Sequence, residues 1–435
     1  MKKVTKSGKN RAEPDFVVSA LFIYFVATKQ TFQSMGKSSN FIGQPLFNQL
    51  IKLISRQKIQ EIAQKGGYNR YVKRFDGYSH LVTLLFAVFS RHDSLREIVL
   101  GLMSEANKLS HLGLLQLMSR STLSDANNRR SHVFFEKIYT SLYERYGGVL
   151  SDSQVVRKWE KALYIIDSTT ITLFSNILKG AGRHPKHGKK KGGIKCHTVL
   201  KAIEQVPCLV RFTAAAVHDH FMLKILNLPM GSFVAMDRAY IDYKYMQLMT
   251  EKCITYVTKM KSNLKYRLIS SVCRVQPRGL VEVIISTVEF EKGDMRHKAR
   301  MIEYWREGCK RSQTLLTNNF ELDYEEIIEI YERRWQIELL FKRLKQNFQL
   351  RYFYGESVNA IKTQIWTTLI ANLLLTLVKR RVKRKWSFSG LATVIRQTLM
   401  HYINMWAFLE EPEKTWVEIN QLYKHKPPEL QLSIF

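Results

Sequence analysis

The spacing of apolar positions changes character twice along the chain. From about Phe41 to Tyr146 apolar residues recur every three to four positions, which predicts helices. The run "HDSLREIVLGL" carries a capping box there, with Ser94 and Glu97 three apart ahead of an apolar stretch. "RSTLSDANNRRSHVFFEKIY" predicts a further helix start and carries Arg120, Arg129 and Arg130. At Ala162 the pattern shortens. "ALYIID" is an apolar run ending in Asp167, and "KCHTVLKAI" and "CLVRFTAAAV" predict a hairpin across "EQVP". After a helical stretch, "SFVAMD" is another apolar strand, ending in Asp237. A helix over "YIDYKYMQLMTEK" and a strand over "CITYVTK" follow. Between about Lys265 and Arg311 the alternation is strand-like, "TLLT" is a last short strand, and helical periodicity returns with "DYEEIIEIYERRW".

Strand, hairpin, helix, strand, helix, strand, β insertion and long helices, in that order, define an α/β class. It is the element order of a ribonuclease-H-like catalytic domain interrupted before its last helix. The expected organisation has four parts. Residues 1–40 are a peripheral extension, with Met35 as an alternative start. Residues 41–150 form a basic helical domain, for which DNA binding of the helix-turn-helix kind and plain packing are both open. Residues 151–350 form the catalytic domain, with the β insertion at about 259–317, and residues 351–435 are C-terminal helices.

The stretch "YERRWQIELLFKRLKQN", Tyr331 to Asn347, reads as one helix with two faces. At about 100° per residue, Ile337, Leu340, Phe341, Leu344 and Phe348 share an apolar stripe that predicts core contact. Tyr331, Arg334, Glu338 and Lys345 are offset by three, four and seven, so they share a narrow second face. Arg343 points off that face. Arg334 and Glu338 alone make an ordinary surface pair, so chemistry on this face depends on what the rest of the chain supplies.

Charge narrows the partner. The chain has 435 residues, with 68 Lys plus Arg against 37 Asp plus Glu and a formal net charge of +31. So large an excess attracts polyanions, nucleic acid above all. The basic residues are spread over folded segments rather than on one amphipathic helix, which argues against a membrane surface. The five cysteines include no C-x2-C pair, which argues against a zinc site or a disulfide framework and fits a reducing cytoplasm. "VVSALFIYFVA" and "IWTTLIANLLLTLV" are short for a membrane span, and the second reads as a buried core helix.

Asp167 and Asp237 each close an apolar strand, and the edge of an α/β sheet is where sites form. Either alone is equally a cap or turn residue. With Glu338 there are three carboxylates from two strands and a helix, a set that can hold two magnesium ions about 3.5–4 Å apart and act on a phosphodiester. His218 and His220 flank Asp219, with a metal role and a loop role both open. The basic loop "RHPKHGKKKGG" brings Lys189, Lys190 and Lys191, and "KRRVKRKW" a second basic run, to where DNA backbone contact is plausible beside simple solvation.

These residues carry a resemblance. "YERRWQIELLFKRLK" is similar to the Y-x2-R-x3-E-x6-K signature of the fourth insertion-sequence family of DDE transposases, at Tyr331, Arg334, Glu338 and Lys345. "YIIDSTTITL" and "MDRAYIDY" resemble that family's two aspartate motifs, with Ala239 in place of a glycine. "KCHTVL", "VHDH", "YVTKMKSNLKY" and "LLTNNFELDYEEIIEIY" also resemble family segments, and four segments between Phe41 and Arg130 resemble an N-terminal domain of one branch. The resemblance implies a bacterial, cytoplasmic transposase that excises and inserts an element at terminal inverted repeats. Asp167, Asp237 and Glu338 would bind Mg2+, with Mn2+ as an alternative. Tyr331, Arg334 and Lys345 would grip transposon-end phosphates, and Lys259, Lys261, Arg129 and Arg130 join the expected DNA contacts. A homodimer would act on double-stranded DNA. Relatives flip a base onto a tryptophan that here is Gln313, with Tyr304 and Trp305 nearby. The rivals are a catalytically silent DNA-binding repressor and a structure-specific nuclease of the same fold.

Overall fold

The computed structural model describes residues 43–151, 157–172, 193–274, 280–308, 311–348, 350, 352–414 and 417. The expectations for residues 1–40 and for Lys189, Lys190 and Lys191 lie outside them.

Six helices come first: α1 (Leu46–Ile51), α2 (Arg56–Lys65), α3 (Gly77–Ser90), α4 (Leu95–Ser104), α5 (Arg120–Arg129) and α6 (Val133–Ser151). Four of them start on side-chain caps, since Ser55, Asp76, Ser94 and Ser119 each accept the backbone N–H three residues on. The Glu97 carboxylate reaches back to the Asp93 N–H at 2.8 Å, the reciprocal contact the capping box predicts one residue later.

A short helix α7 (Lys158–Lys161) leads into strand β1 (Leu163–Thr172), hairpin β2 (Gly193–Lys201) and β3 (Pro207–Ala214), and helix α8 (Phe221–Ile225). Strand β4 (Phe233–Met236), helix α9 (Tyr243–Glu251) and strand β5 (Thr255–Lys259) follow. Then come β6 (Arg267–Arg274), β7 (Leu280–Lys292), β8 (Met295–Arg306) and β9 (Gln313–Thr317). All nine strands form one mixed sheet in the order β3-β2-β1-β4-β5-β9-β8-β7-β6. Strands β1, β4 and β5 are parallel, and the rest pair antiparallel. The β-rich stretch therefore extends the sheet through β9 instead of standing apart from it.

The last helices among the described residues are α10 (Tyr324–Arg333), α11 (Trp335–Asn347), α12 (Val358–Arg381), α13 (Phe388–Thr398) and α14 (Met405–Glu410). Helix α12 is long and apolar enough to cross a membrane, but 94% of its apolar window is buried inside the protein. Its threonines lie in that interior without orphaned hydroxyls at three places. Thr367, Thr368 and Thr376 donate to the carbonyls of Thr363, Gln364 and Asn372 one turn back. Helix α12 packs against α3, α5, α6 and α13, so helices from both ends of the chain share one core. Backbone and side chains tie them: Asn127 donates to the Tyr354 carbonyl, and Asn359 accepts from the His132 N–H.

Two local expectations need correction. Asp167 does not end β1. The run Ser168 to Thr172 is rich in β-branched residues and stays paired to β2, so Asp167 is the fifth of ten strand residues. What stops at Asp167 is its other neighbour, because β4 pairs only through Met236. The helix expected from Tyr331 to Asn347 is also broken. Arg334 lies between α10 and α11, and its N–H bonds the carbonyl of Tyr331, three residues back, in a tightened turn. The apolar stripe of α11 is buried as expected: Ile337, Leu340, Phe341, Leu344 and Phe348 are all 8% exposed or less. Each such side chain contributes roughly 1.5–3 kcal/mol of burial, which holds the polar face of α11 against the sheet.

Candidate active site

The register of three parallel strands builds the site. Ile166 pairs with Met236 and Met236 with Thr258, so Asp167, Asp237 and Lys259 occupy the next row across β1, β4 and β5. Adjacent strands lie about 4.8 Å apart, so this row places two carboxylates and an ammonium along one edge. Asp237 begins a 3-10 turn, Arg238–Tyr240, which is why β4 stops there.

Helix α11 adds the third carboxylate. Arg334 donates to Glu338 at 2.7 Å and stands 3.9 Å from Asp167, so one guanidinium bridges a strand carboxylate and a helix carboxylate. Its ring-face neighbour is Tyr331, at 5.6 Å. Lys345, two turns along, donates to the Thr169 hydroxyl at 3.1 Å and so lies over β1 two residues past Asp167. Arg334 and Lys345 thus reach β1 despite the break, Glu338 is held by Arg334, and Tyr331 lies beside Arg334 within the influence of Asp237.

Electrostatics mark this as a strained collection of charge. Asp167 is pushed up to about 6, chiefly by burial, with the carboxylates of Asp237 and Glu338 acting in the same sense. The Ser168 N–H, at 2.7 Å, and the Arg334 guanidinium oppose the rise. The Tyr331 phenol is also raised, first by burial and then by Asp237, against Arg334. Two buried polar atoms here have no hydrogen-bond partner among the described residues, Arg334 Nε and the Tyr240 hydroxyl.

A second layer was not visible in sequence as a unit. Ser168 donates to Asp219 at 2.5 Å, and Asp219 also takes Lys195 at 3.1 Å with His197 at 3.9 Å. The segments "KCHTVL" and "VHDH" therefore meet beside Asp167. The Asp219 carboxylate is lowered: burial opposes ionisation, but Ser168 and Lys195 outweigh it. His218 and His220 stack on one another at 5.6 Å and ligate nothing described. The only sequence signal for this layer was the polar residue at alternate strand positions.

Trp335 was missed as well. It is 56% exposed and, with Tyr304, Arg306, Gln313, Tyr331 and Arg334, lines a cavity of about 280 Å3 next to the carboxylates. Its signal was its place on the wheel, since a tryptophan off the apolar stripe of α11 has to face outward. Tyr304, by contrast, is buried and donates to Gln313.

The other expected DNA contacts scatter. Lys261 is half-buried beyond the end of β5, and Arg129 is exposed on α5 with Asp125 at 3.6 Å. Arg130 is inside: it is 5% exposed and donates to the carbonyls of Tyr68 and Phe75, so its guanidinium ties the helical layer together and does not face a ligand. Arg343 points away from the carboxylates, as the wheel predicts, but its Nη2 donates to the Gln205 carbonyl and its guanidinium covers Phe388.

The donor set has the chemistry for a hard divalent cation: three carboxylates with a single guanidinium between two of them. Among the described residues no three His, Cys, Asp or Glu side chains close on a common point at ligating distance. Arg334 supplies the positive charge there.

Comparison with known proteins agrees with this geometry. The family described as the transposase DDE domain matches residues 158–374, which include all three carboxylates, and a domain of unknown function matches residues 42–115. A Sinorhizobium fredii protein named as transposase y4zB is 31% identical over 265 residues, covering 59% of this chain and 71% of its own. A protein of Geobacillus stearothermophilus, named as a transposase for insertion sequence element IS5377, is 24% identical over 79% of this chain and 87% of its own. A solved piggyBac transposase synaptic complex with hairpin DNA superposes with a TM-score of 0.40 at 10% identity, covering 91% of this chain and 88% of that one. The matched domain and these relatives make this a DNA-cleaving and strand-transferring enzyme. The chain belongs to the DDE transposases.

Proposed function

We propose that this transposase excises and inserts an insertion sequence by phosphodiester hydrolysis and strand transfer at terminal inverted repeats, with Asp167, Asp237 and Glu338 as its catalytic carboxylates. The observation that carries the assignment is the Arg334 bridge, which shows strand and helix carboxylates converging on one cation. The strand order β3-β2-β1-β4-β5, with β1, β4 and β5 parallel, supports a ribonuclease-H-like core over residues 151–350, with the insertion at about 259–317.

The three carboxylates would hold divalent metal, Mg2+ or Mn2+, which when bound supplies Lewis-acid charge and an activated oxygen nucleophile. The protein's own part is placement. Asp167 and Asp237 are fixed by sheet register, and Glu338 by the buried stripe of α11. Arg334 shifts from the carboxylates to a phosphate oxygen, where its fork can bind two oxygens at once. Tyr331 donates a hydrogen bond to a neighbouring phosphate, and Lys345 leaves Thr169 to grip the next. Ser168, tied to Asp219, which Lys195 also holds, keeps the strand straight beyond Asp167. Trp335 offers an exposed ring for a base displaced from the duplex end. Cutting two ends together would take two copies of the chain, on double-stranded DNA in a bacterial cytoplasm.

Incubating the protein with labelled DNA of the sequence flanking its own gene, with magnesium, tests this. Nicks at the terminal repeats and joined target products are expected. Sequence-independent cutting would favour a nuclease, and tight binding without any product a repressor.

A further inference from the structure

A cavity of about 310 Å3 opens at the other end of β1 from the carboxylates, beside Leu163. Four residues of strand, roughly 13 Å, separate Leu163 from Asp167. Helix α11 serves both places. Glu338 and Lys345 share one face, whereas Gln336 and Arg343, displaced by two residues or about 200°, share the opposite one and line the cavity.

The cavity is crowded with cations. Arg343, Lys379 and Arg380 line it, together with Arg333. One carboxylate, Glu160, lines the cavity too, and both it and Glu204 are already paired. Glu160 accepts from Arg333 at 2.5 Å, and Glu204 takes Tyr143, Ser151 and Lys201. Arg343 gives Nη2 to the Gln205 carbonyl and Arg380 gives Nη2 to that of Ile203, which pins the β2–β3 turn where Gln205 sits at φ +58°. On Arg343 that use leaves a donor over. Arg343 Nε is buried with no hydrogen-bond partner among the described residues. The Gln336 side-chain oxygen is buried and unpartnered too, and a flip of that amide puts its NH2 in the same place. The charges acting on Lys379 are those of Arg343 and Arg380, like its own, and with burial they lower its pKa. Lys379 and Arg343 bring like charge to the cavity from two helices, and the orphaned buried N–H of Arg343 adds a donor, so an anion is favoured there.

We infer that this cavity binds a phosphate group, held by Lys379, Arg343 and Arg380 on the face of α11 opposite the catalytic carboxylates. Two arginines and a point-charge lysine arriving from two helices, α11 and α12, suit a tetrahedral dianion better than a planar carboxylate. A DNA backbone phosphate and a free nucleotide share this chemistry, and the test separates them.

Lys379 is exposed at the end of α12, so Lys379→Gln keeps the fold even where Arg343→Gln, which frees the Gln205 turn, does not. Calorimetric titration with inorganic phosphate at fixed ionic strength is the measurement, with Lys385→Gln as an equal change of charge on the nearby surface. Expected is phosphate binding by the wild type that weakens about tenfold in Lys379→Gln, the loss of one charge-assisted hydrogen bond, and not in Lys385→Gln. The same loss for a non-specific duplex, with a salt slope shallower by about one, assigns the site to DNA backbone. Loss for AMP with duplex affinity unchanged assigns it to a free nucleotide. Absence of phosphate binding in the wild type, or equal binding in Lys379→Gln, overturns the inference.

Discussion

Asp167 and Asp237 stand side by side in one register row, the first beyond the last paired residues of β1 and β4, Ile166 and Met236. Burial raises Asp167 to about 6, and the Asp237 carboxylate, about one strand spacing away, adds to the rise. Its folded-state pKa lies above its unfolded value, so the native state holds more protons between about pH 4 and 6. In metal-free protein this contribution favours the fold at low pH and is lost as pH rises through 6. Asp167→Asn is therefore expected to raise the melting temperature of metal-free protein at pH 7.5, with the gain vanishing near pH 4. The same variant, like Asp237→Asn and Glu338→Gln, is expected to lower end cleavage on the order of a thousandfold while end binding, which rests on cations, survives. Cleavage at wild-type rate in any of the three removes that residue from the catalytic set.

Trp335 carries the next expectation. Its ring is half exposed beside Tyr331 and Arg334, and stacking one base on an aromatic is worth about 1–3 kcal/mol. Trp335→Ala is expected to slow cleavage tenfold to a hundredfold by that measure, with Trp335→Phe close to wild type. The fluorescence of 2-aminopurine placed in the terminal nucleotides reports the displaced base directly. An equal signal in wild type and Trp335→Ala would assign stacking to another residue.

Much of this site was legible in the chain because each part had its own local signal. The apolar runs ending at Asp167 and Asp237, and the three-four-seven spacing around Glu338, are periodicities that survive folding. Asp167 was misplaced as a strand end because a run of Ser and Thr reads as a turn until a β2 partner is known, and β-branched residues then favour the strand. The helix break at Arg334 was invisible because Arg, Trp and Gln are ordinary helix formers; tertiary contacts to Asp167 and Glu338 accompany the tightened turn. Arg130 was read as a DNA contact by charge alone, and charge says nothing of burial. The Ser168–Asp219–Lys195 layer joins residues from three separate segments, and periodicity carries no pairing information across such distances.

Two of the buried histidines weaken the fold in acid. His80, 0% exposed, is lowered to about 3, first by burial and then by Arg130; His297, 1% exposed, is lowered to about 4 by burial. Both stay neutral in the native state below pH 6.5, where the unfolded chain takes up protons. Their stabilising contribution is complete above pH 6.5 and is lost as pH falls toward 4, at up to about 1.4 kcal/mol per pH unit for each. His80 bonds Asn127 at 2.8 Å, so a neutral amide is the fitting replacement. Denaturant unfolding at pH 7 and 5 is expected to show a smaller loss in His80→Gln than in wild type. Identical losses would mean that His80 does not titrate differently in the two states.

Arg334 decides how the cation site works. It occupies the space between Asp167 and Glu338 and is only 14% exposed, whereas an ordinary i,i+4 surface pair is worth a few tenths of a kcal/mol. A guanidinium that shares two carboxylates with divalent metal competes with it. Arg334→Gln is therefore expected to bind Mn2+ more tightly than wild type in electron paramagnetic resonance titrations, yet to cleave DNA ends about a hundredfold more slowly, since the fork on phosphate is gone. Those two changes have opposite signs, which a loss of folding cannot produce. Lys345→Ala is expected to slow cleavage with metal affinity unchanged, because its partner is Thr169 and not a carboxylate. The comparison variant is Lys342→Ala, exposed on the same helix, and not Arg343→Ala, whose guanidinium holds the Gln205 turn and covers Phe388. Weaker Mn2+ binding in Arg334→Gln would show that the arginine organises the carboxylates instead of competing for them. Small and equal cleavage effects at Arg334, Lys345 and Lys342 would reduce this helix face to a charged surface.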